Sequence, residues 1–423
     1  KYSTDTMRKF WILNYIKQLG LKRNMLVLLG ALMVLQSCYA QDGEFMSGLH
    51  MEPKSDIRPG ALQTNEYLPL LEGKRVAVVG NQTSIIKYEI TEAIHLVDLL
   101  LNQKVNVVKV FSPEHGFRGL ADAGAKVNSS VDDKTKLPIV SLYGDNKKPK
   151  AEQLKDIDVI VFDLQDVGVR FYTYISTLTY VMEAAAEAKI PVIVLDRPNP
   201  NIQFVAGPSL KKGFESFVGM HPVPVLYGMT IGEYGKMVNG ERWLKDSVQC
   251  DLTVIEVNSY HRGNTYSLPV APSPNLKTDI SIAHYASLCL FEGTTVSVGR
   301  GTTQPFEIYG HPNFKTNTFS FTPVSMTGAT KPLHLNMKCN GVDLSGIQYV
   351  HNGFTLDYLF DAKKELGDDL KWINSVRFFN LLAGSDELYN QLKVGKSKQE
   401  IYQSWETDLN AFKQMRQKYL IYR

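Results

Sequence analysis

What most constrains this chain is an alternation of two textures between residues 74 and 257. Five short β-branched runs, RVAVVGNQT (75–83), VNVVKVFSPEH (105–115), LPIVSLYG (137–144), DVIVFDLQD (158–166) and PVIVLDRPNP (191–200), each end in polar or turn residues. Helical patterns lie between several of them. TEAIHLVDLLLNQ (91–103) repeats its apolar residues at spacings of three and four, and YISTLTYVMEAAAEAK (174–189) is rich in alanine. Near-continuous apolar strands alternating with helices call for a parallel sheet covered on both faces. The spacing predicts a doubly wound α/β domain over residues 51–257, closed by LTVIEV (252–257). The prolines of SLPVAPSPNLKTD (267–279) forbid regular structure. Beyond them the chain turns glycine-rich and mixed, then helical again in IYQSWETDLNAFKQMRQKYLIY (401–422). A second, smaller α+β domain over 258–423 follows, and 423 residues leave room for two cores.

The N-terminal segment has a different logic. Lys22 and Arg23 precede MLVLLGALMVL (25–35) and QSCYAQ (36–41). That apolar run is shorter than the roughly 20 residues a membrane span needs and reads as an export signal. Leu35-Gln36-Ser37-Cys38 resembles a bacterial lipobox, in which the cysteine is acylated; cleavage after Ala40 is the competing reading. Residues 1–40 are therefore set apart as export signal and upstream segment. The expected location is extracytoplasmic, as a periplasmic or outer-membrane lipoprotein attached through Cys38, or as a secreted protein. The other cysteines, Cys250, Cys289 and Cys339, match no zinc spacing and are expected to be buried small hydrophobes. A net charge of +3 is too mild to call for a nucleic-acid partner, and oligomeric state is left open.

In an open parallel sheet, ligands bind beyond the carboxyl ends of the strands. Here Asn81-Gln82-Thr83 follows the first strand, Glu114-His115 the second, Asp163 to Asp166 the fourth, and Asp196-Arg197-Pro198-Asn199 the fifth. Four strand exits carrying acids, amides, an arginine and a histidine exceed what loops need, although Asp166 and Asn199 also suit capping. The dinucleotide fingerprint, the Walker loop and the nucleophile elbow are all missing. A hard cation held by Glu114, His115, Asp163 and Asp196 stays open as an alternative, without any H-x-H, H-E-x-x-H or D-x-D cluster to support it. No cofactor is expected. The residues suit acid catalysis on a sugar-like ligand, which needs a carboxylic acid to protonate the leaving oxygen and a group to stabilise an oxocarbenium-like centre. Glu114, pinned between Pro113 and His115 at the mouth of an apolar strand, is the candidate acid. Arg170, with Phe171, Tyr172 and Tyr174 behind it, adds a carboxylate-binding fork and aromatic faces, unless the aromatics are helix core. Arg300, within GRG (299–301), is placed either to close over a ligand or to sit exposed at a bulge.

FSPEHGFRG, SLYG, VFDLQDVGVRFYTYISTL, VLDRPNPN, GPSL, SFVGMHPVPVLYGMT, APSPN and FEGTTVSVGRGTTQPFEIYGHP stand in this order. Together they resemble the bacterial exo-β-N-acetylmuramidase family, from about residue 71 to the C-terminal YLIYR. The resemblance implies an exo-acting glycosidase that removes N-acetylmuramic acid from the non-reducing end of peptidoglycan fragments. It also implies a Rossmann-like catalytic domain and a smaller C-terminal domain that closes the cleft. Its catalytic glutamate lies in S-P-E-H-G, here Glu114, with His115 orienting it. Asp163, Arg170, Asn199 and Glu292 fall on motif positions too. Asp163, Asp166 or Glu292 is expected as second catalytic group, or to orient an acetamido group that attacks internally. Substrate binding is assigned to Asn81, Arg118, Asp166, Arg170, Tyr172, Asn199, Asn275 and Arg300, with Arg170 or Arg300 on the lactyl carboxylate. Two departures stand out: Tyr227 occupies the place where histidine is expected before G-M-T, and APSPNLKT replaces a Trp-rich stretch. The other classes in play are a metal-dependent hydrolase of another envelope saccharide and a non-catalytic cell-wall-binding lipoprotein.

Overall fold

A computed structural model describes residues 57–87, 93–114, 116–117, 130–347 and 350–423. The export segment with Cys38, His115 and Arg118 lie outside the described residues. Strands β1 (Val76–Gly80), β2 (Val107–Ser112), β3 (Ser130–Val131), β4 (Pro138–Ser141), β5 (Val159–Asp163), β6 (Val192–Leu195) and β7 (Leu252–Ile255) form one sheet in the order β7-β6-β5-β1-β2-β4-β3. Every pairing is parallel except that of β3, a two-residue antiparallel edge on β4. Apart from that edge, the chain runs outward from β1 through β2 to β4, recrosses β1 to β5, and continues through β6 to β7. This is the Rossmann order, with its topological switch point between β1 and β5.

The apolar runs are continuous because both faces of the sheet are buried. Successive residues point to opposite sides. Ala77, Val79, Ile160, Phe162, Val192 and Val194 enter one core, while Val76, Val78, Val159, Val161, Ile193 and Leu195 enter the other. Helices α1 (Thr64–Leu71) and α2 (Leu96–Asn102) cover the second face. The first is covered by α3 (Ala151–Leu154), α4 (Tyr174–Ala188) and α5 (Ile231–Gly240). Helix α5 starts on a capping box, in which Thr230 and Glu233 satisfy each other's backbone N–H groups.

After the proline-rich stretch come α6 (Asp279–Leu288), a 3₁₀ turn at Cys289–Gly293, and a three-stranded antiparallel sheet. In that sheet Cys339–Asp343 lies between Ile308–His311 and Phe319–Phe321. Helices α7 (Asp357–Leu366), α8 (Val376–Ala383), α9 (Glu387–Lys393) and α10 (Lys398–Arg416) complete the chain. Phe291, Trp372, Phe379 and Trp405 of this part join the same core as α4 and α5, so residues 57–423 pack as one unit. The C-terminus is tied back to the sheet. Asp196, at the end of β6, accepts hydrogen bonds from Thr230 Oγ1 and Tyr422 Oη, both at 2.7 Å, and from Gly232 N at 2.8 Å. Cys250, Cys289 and Cys339 are free and buried. Among the described residues no helix is long and apolar enough to cross a membrane.

Candidate active site

The switch point is filled by the protein itself. Ser84 Oγ donates to the Asp163 carbonyl at 2.5 Å, and Asn81 Nδ2 donates to Tyr174 Oη at 2.6 Å. The Asn81 side-chain oxygen Oδ1 accepts from Thr83 N and Thr83 Oγ1. Asp163 and Arg197 leave adjacent strands, β5 and β6, and meet in a bidentate pair at 2.6 and 2.9 Å, both side chains being almost fully buried. Asp196 is committed to Tyr422 and the start of α5. Asp163 and Asp196, expected around a cation, and Asp163 also as a second catalytic group, thus hold the strand ends together here. A ligand crevice at this point is replaced by a satisfied polar network.

The cleft opens to one side, over the exits of β2 and β4 and the start of α4. It encloses about 610 Å³ and is lined by Glu114, Tyr143, Tyr172 and Thr173 from the sheet part, and by Tyr285, Glu292, Arg300 and Lys331 from the C-terminal part. A larger groove of about 1160 Å³ beside α10 contains none of the expected site residues. Glu114 is half-buried, and its Oε1 accepts from Tyr143 Oη at 3.0 Å. Its Oε2 accepts from Thr173 Oγ1 at a longer 3.4 Å. Thr173 is the N-cap of α4, but its hydroxyl makes no cap bond and turns to the glutamate. Tyr143 holds its proton firmly, because burial and the nearby Glu114 carboxylate both raise its pKa.

Across the cleft, Glu292 rides on the 3₁₀ turn that follows α6. Arg300 Nε and Nη2 both lie 2.7 Å from its Oε1. The guanidinium also stacks over Phe306, 5.0 Å from the ring centroid. Burial would lower the Arg300 pKa, and the Glu292 carboxylate outweighs it, leaving the group above its ordinary value. Gly299 (φ +76°) and Gly301 (φ +82°) hold this turn in left-handed backbone. A Cβ on Gly299 would meet Ile308 Cγ1 at 2.5 Å, and one on Gly301 would meet Pro332 Cγ at 2.5 Å. The GRG triplet is therefore a packed turn, and no exposed bulge.

Of the expected site residues, Glu114, Tyr172, Glu292 and Arg300 converge on the cleft. Tyr172 is anchored by its hydroxyl to the Pro272 carbonyl at 2.7 Å and packs edge-on against Tyr174 and Tyr285. The other described ones face inward. Arg170 is fully buried and donates at 2.8 Å to three backbone carbonyls, those of Pro208, Val223 and Leu382. With both Nη atoms donating to carbonyls and Nε buried without a partner, the fork expected for a ligand carboxylate staples the turn before α4 to α8. Desolvation pushes its pKa down to about 9. Asp166 accepts from Tyr227 Oη and from Gly168 N, and its Oδ1 is buried without a partner. Burial raises its pKa to about 6, partly offset by those two donors. Tyr227, the departure from the expected histidine, is thus the hydroxyl that holds Asp166. Asn199 bonds Met229 O and Asn201 N, and Asn275 Nδ2 reaches Gly328 O at 2.8 Å. Sequence reading missed Tyr143 and Thr173. Tyr143 stood in SLYG, at the one exit left out of the strand-end argument.

Two family models match the chain: "Exo-beta-N-acetylmuramidase NamZ, N-terminal" over residues 76–280, and "Exo-beta-N-acetylmuramidase NamZ, C-terminal" over residues 283–422. A curated relative, the peptidoglycan beta-N-acetylmuramidase NamZ of Bacillus subtilis (strain 168), is 39% identical over 380 residues, covering 84% of this chain and 89% of the relative. Two solved structures of DUF1343 family proteins from Bacteroides fragilis NCTC 9343 are also similar. One has a TM-score of 0.79 at 44% identity, covering 87% of this chain and 99% of that one. The other has a TM-score of 0.74 at 28% identity, covering 88% of this chain and 100% of that one. The chain belongs to the exo-β-N-acetylmuramidase NamZ family.

Proposed function

We propose that this chain is an exo-acting glycoside hydrolase that releases N-acetylmuramic acid from the non-reducing end of peptidoglycan fragments, with Glu114 as general acid. The observation that carries the reading is the presence of two carboxylates, Glu114 and Glu292, in one cleft. Glu114 accepts from two hydroxyls, those of Tyr143 and Thr173. Glu292 meets a guanidinium. Acid–base chemistry on a glycosidic bond canonically uses such a pair of carboxyl groups. Glu114 delivers its proton to the leaving oxygen, and Tyr143 fixes the carboxyl group that does so. Glu292 supplies negative charge near the oxocarbenium-like centre, as base, nucleophile or electrostatic partner, while Arg300 fixes its position. Tyr172 and Tyr285 offer ring faces and edges to the sugar. The export segment at residues 25–38 supports an extracytoplasmic setting, where such fragments arise.

The test is Glu114→Gln, assayed on a chromogenic β-glycoside of N-acetylmuramic acid. Loss of a general acid costs about 10²- to 10⁴-fold in kcat. Wild-type turnover by the variant overturns the assignment.

A further inference from the structure

We infer that Lys331 is the cation that recognises the substrate's carboxylate, and so decides between muramic acid and its uncharged parent sugar. The inference rests on the glycosidase reading above and concerns the same cleft. A lactyl ether at the 3-position is what separates N-acetylmuramic acid from N-acetylglucosamine, and at neutral pH it carries one negative charge. A cleft that prefers the former needs a cation that its own acids have not already neutralised.

The cleft's two arginine candidates do not meet that need. Arg170 is fully buried, does not line the cleft, and has both Nη atoms on backbone carbonyls. Arg300 is held by Glu292 through both Nε and Nη2. Lys331 also lines the cleft, is exposed, and has no carboxylate partner among the described residues.

The segment that carries Lys331 is firmly held. Asn275 Nδ2 donates to Gly328 O at 2.8 Å, and Met326 and Ala329 exchange backbone hydrogen bonds. His334 Nε2 lies 2.7 Å from Thr295 O. Gly301 packs so closely on Pro332 that no side chain fits between them. The GRG turn thus sets Arg300 and Lys331 on one wall from a single contact. Asn275, expected to touch substrate, acts instead by fixing this wall.

The experiment compares wild type, Lys331→Met and Lys331→Arg on the para-nitrophenyl β-glycosides of N-acetylmuramic acid and N-acetylglucosamine. Lys331→Met is expected to cut the preference for the muramide, as a ratio of kcat/KM values, by about 5- to 20-fold, equivalent to about 1–2 kcal/mol. The loss falls in KM, and Lys331→Arg restores most of it. Added salt weakens the wild-type preference and leaves that of Lys331→Met unchanged, because an exposed charge pair is screened. An unchanged preference in Lys331→Met, with the wild type active on the muramide, overturns this assignment alone. A wild type that turns over neither glycoside overturns the parent reading, and this one with it.

Discussion

Asp163→Asn separates a structural acid from a catalytic one. The side chain keeps its volume and one acceptor, so no cavity forms, but the charge opposite Arg197 disappears. The pair is almost wholly shielded, with side-chain exposures of 0% for Asp163 and 2% for Arg197. Removing one partner of such a pair leaves a buried charge uncompensated and costs about 3–5 kcal/mol. An unfolding entropy of roughly 2 cal/mol/K per residue over residues 57–423 amounts to roughly 0.8 kcal/mol/K. The melting temperature should therefore fall by about 4–6 °C, read by scanning calorimetry at neutral pH. Activity at 25 °C on the chromogenic muramide should stay within about tenfold of wild type, since Asp163 does not line the cleft. An unchanged melting temperature with a thousandfold drop in kcat would refute the reasoning and return Asp163 to the chemistry.

Asp166→Asn tests the sign of a pH effect. The folded protein raises this carboxyl from 3.8 to about 6, so the stability present while the group is neutral is lost as pH rises through that window. Asn keeps an acceptor for Tyr227 and Gly168, so relative to wild type the variant should gain up to about 3 kcal/mol between pH 4 and pH 7.5. Urea midpoints at the two pH values measure it, and parallel curves would contradict it. Arg170→Met should cost about 2–5 kcal/mol by stranding three carbonyls, with little change in the muramide preference. A lost preference at full stability would put Arg170 back on the ligand. Tyr143→Phe removes the donor to Glu114 Oε1 and should shift the alkaline limb of the kcat/KM profile, which the general acid sets, while preserving the fold. A profile identical to wild type would mean that Tyr143 does not tune the acid.

The sheet was legible because its physics is local. A strand buried on both faces must be apolar throughout, and the helices between must show a 3.6-residue period. Both marks survive in a single sequence. Glu114 was legible for the same reason: a strand exit in such a sheet faces the ligand side. That rule names positions without saying which exits stay open. Asp163 was read as a candidate second catalytic group and Arg197 as one of the strand-exit residues, yet β5 and β6 are neighbours, and an acid and an arginine leaving adjacent strands pair with one another first. Arg170 misled for a related reason. Its fork fits carbonyls as well as carboxylates, and only packing shows that Leu382, over two hundred residues away, supplies one of them.

By itself, then, the sequence determined the α/β class and singled out Glu114, just after β2, as a candidate acid. Tertiary structure decided the rest. It closed the switch point, moved the cleft toward Tyr143 and Thr173, and brought Glu292, Arg300 and Lys331 against Glu114 from residues far along the chain. The physical reason is that a residue's type sets which bonds it can make. Which bonds it does make depends on partners that only long-range packing brings within about 3 Å.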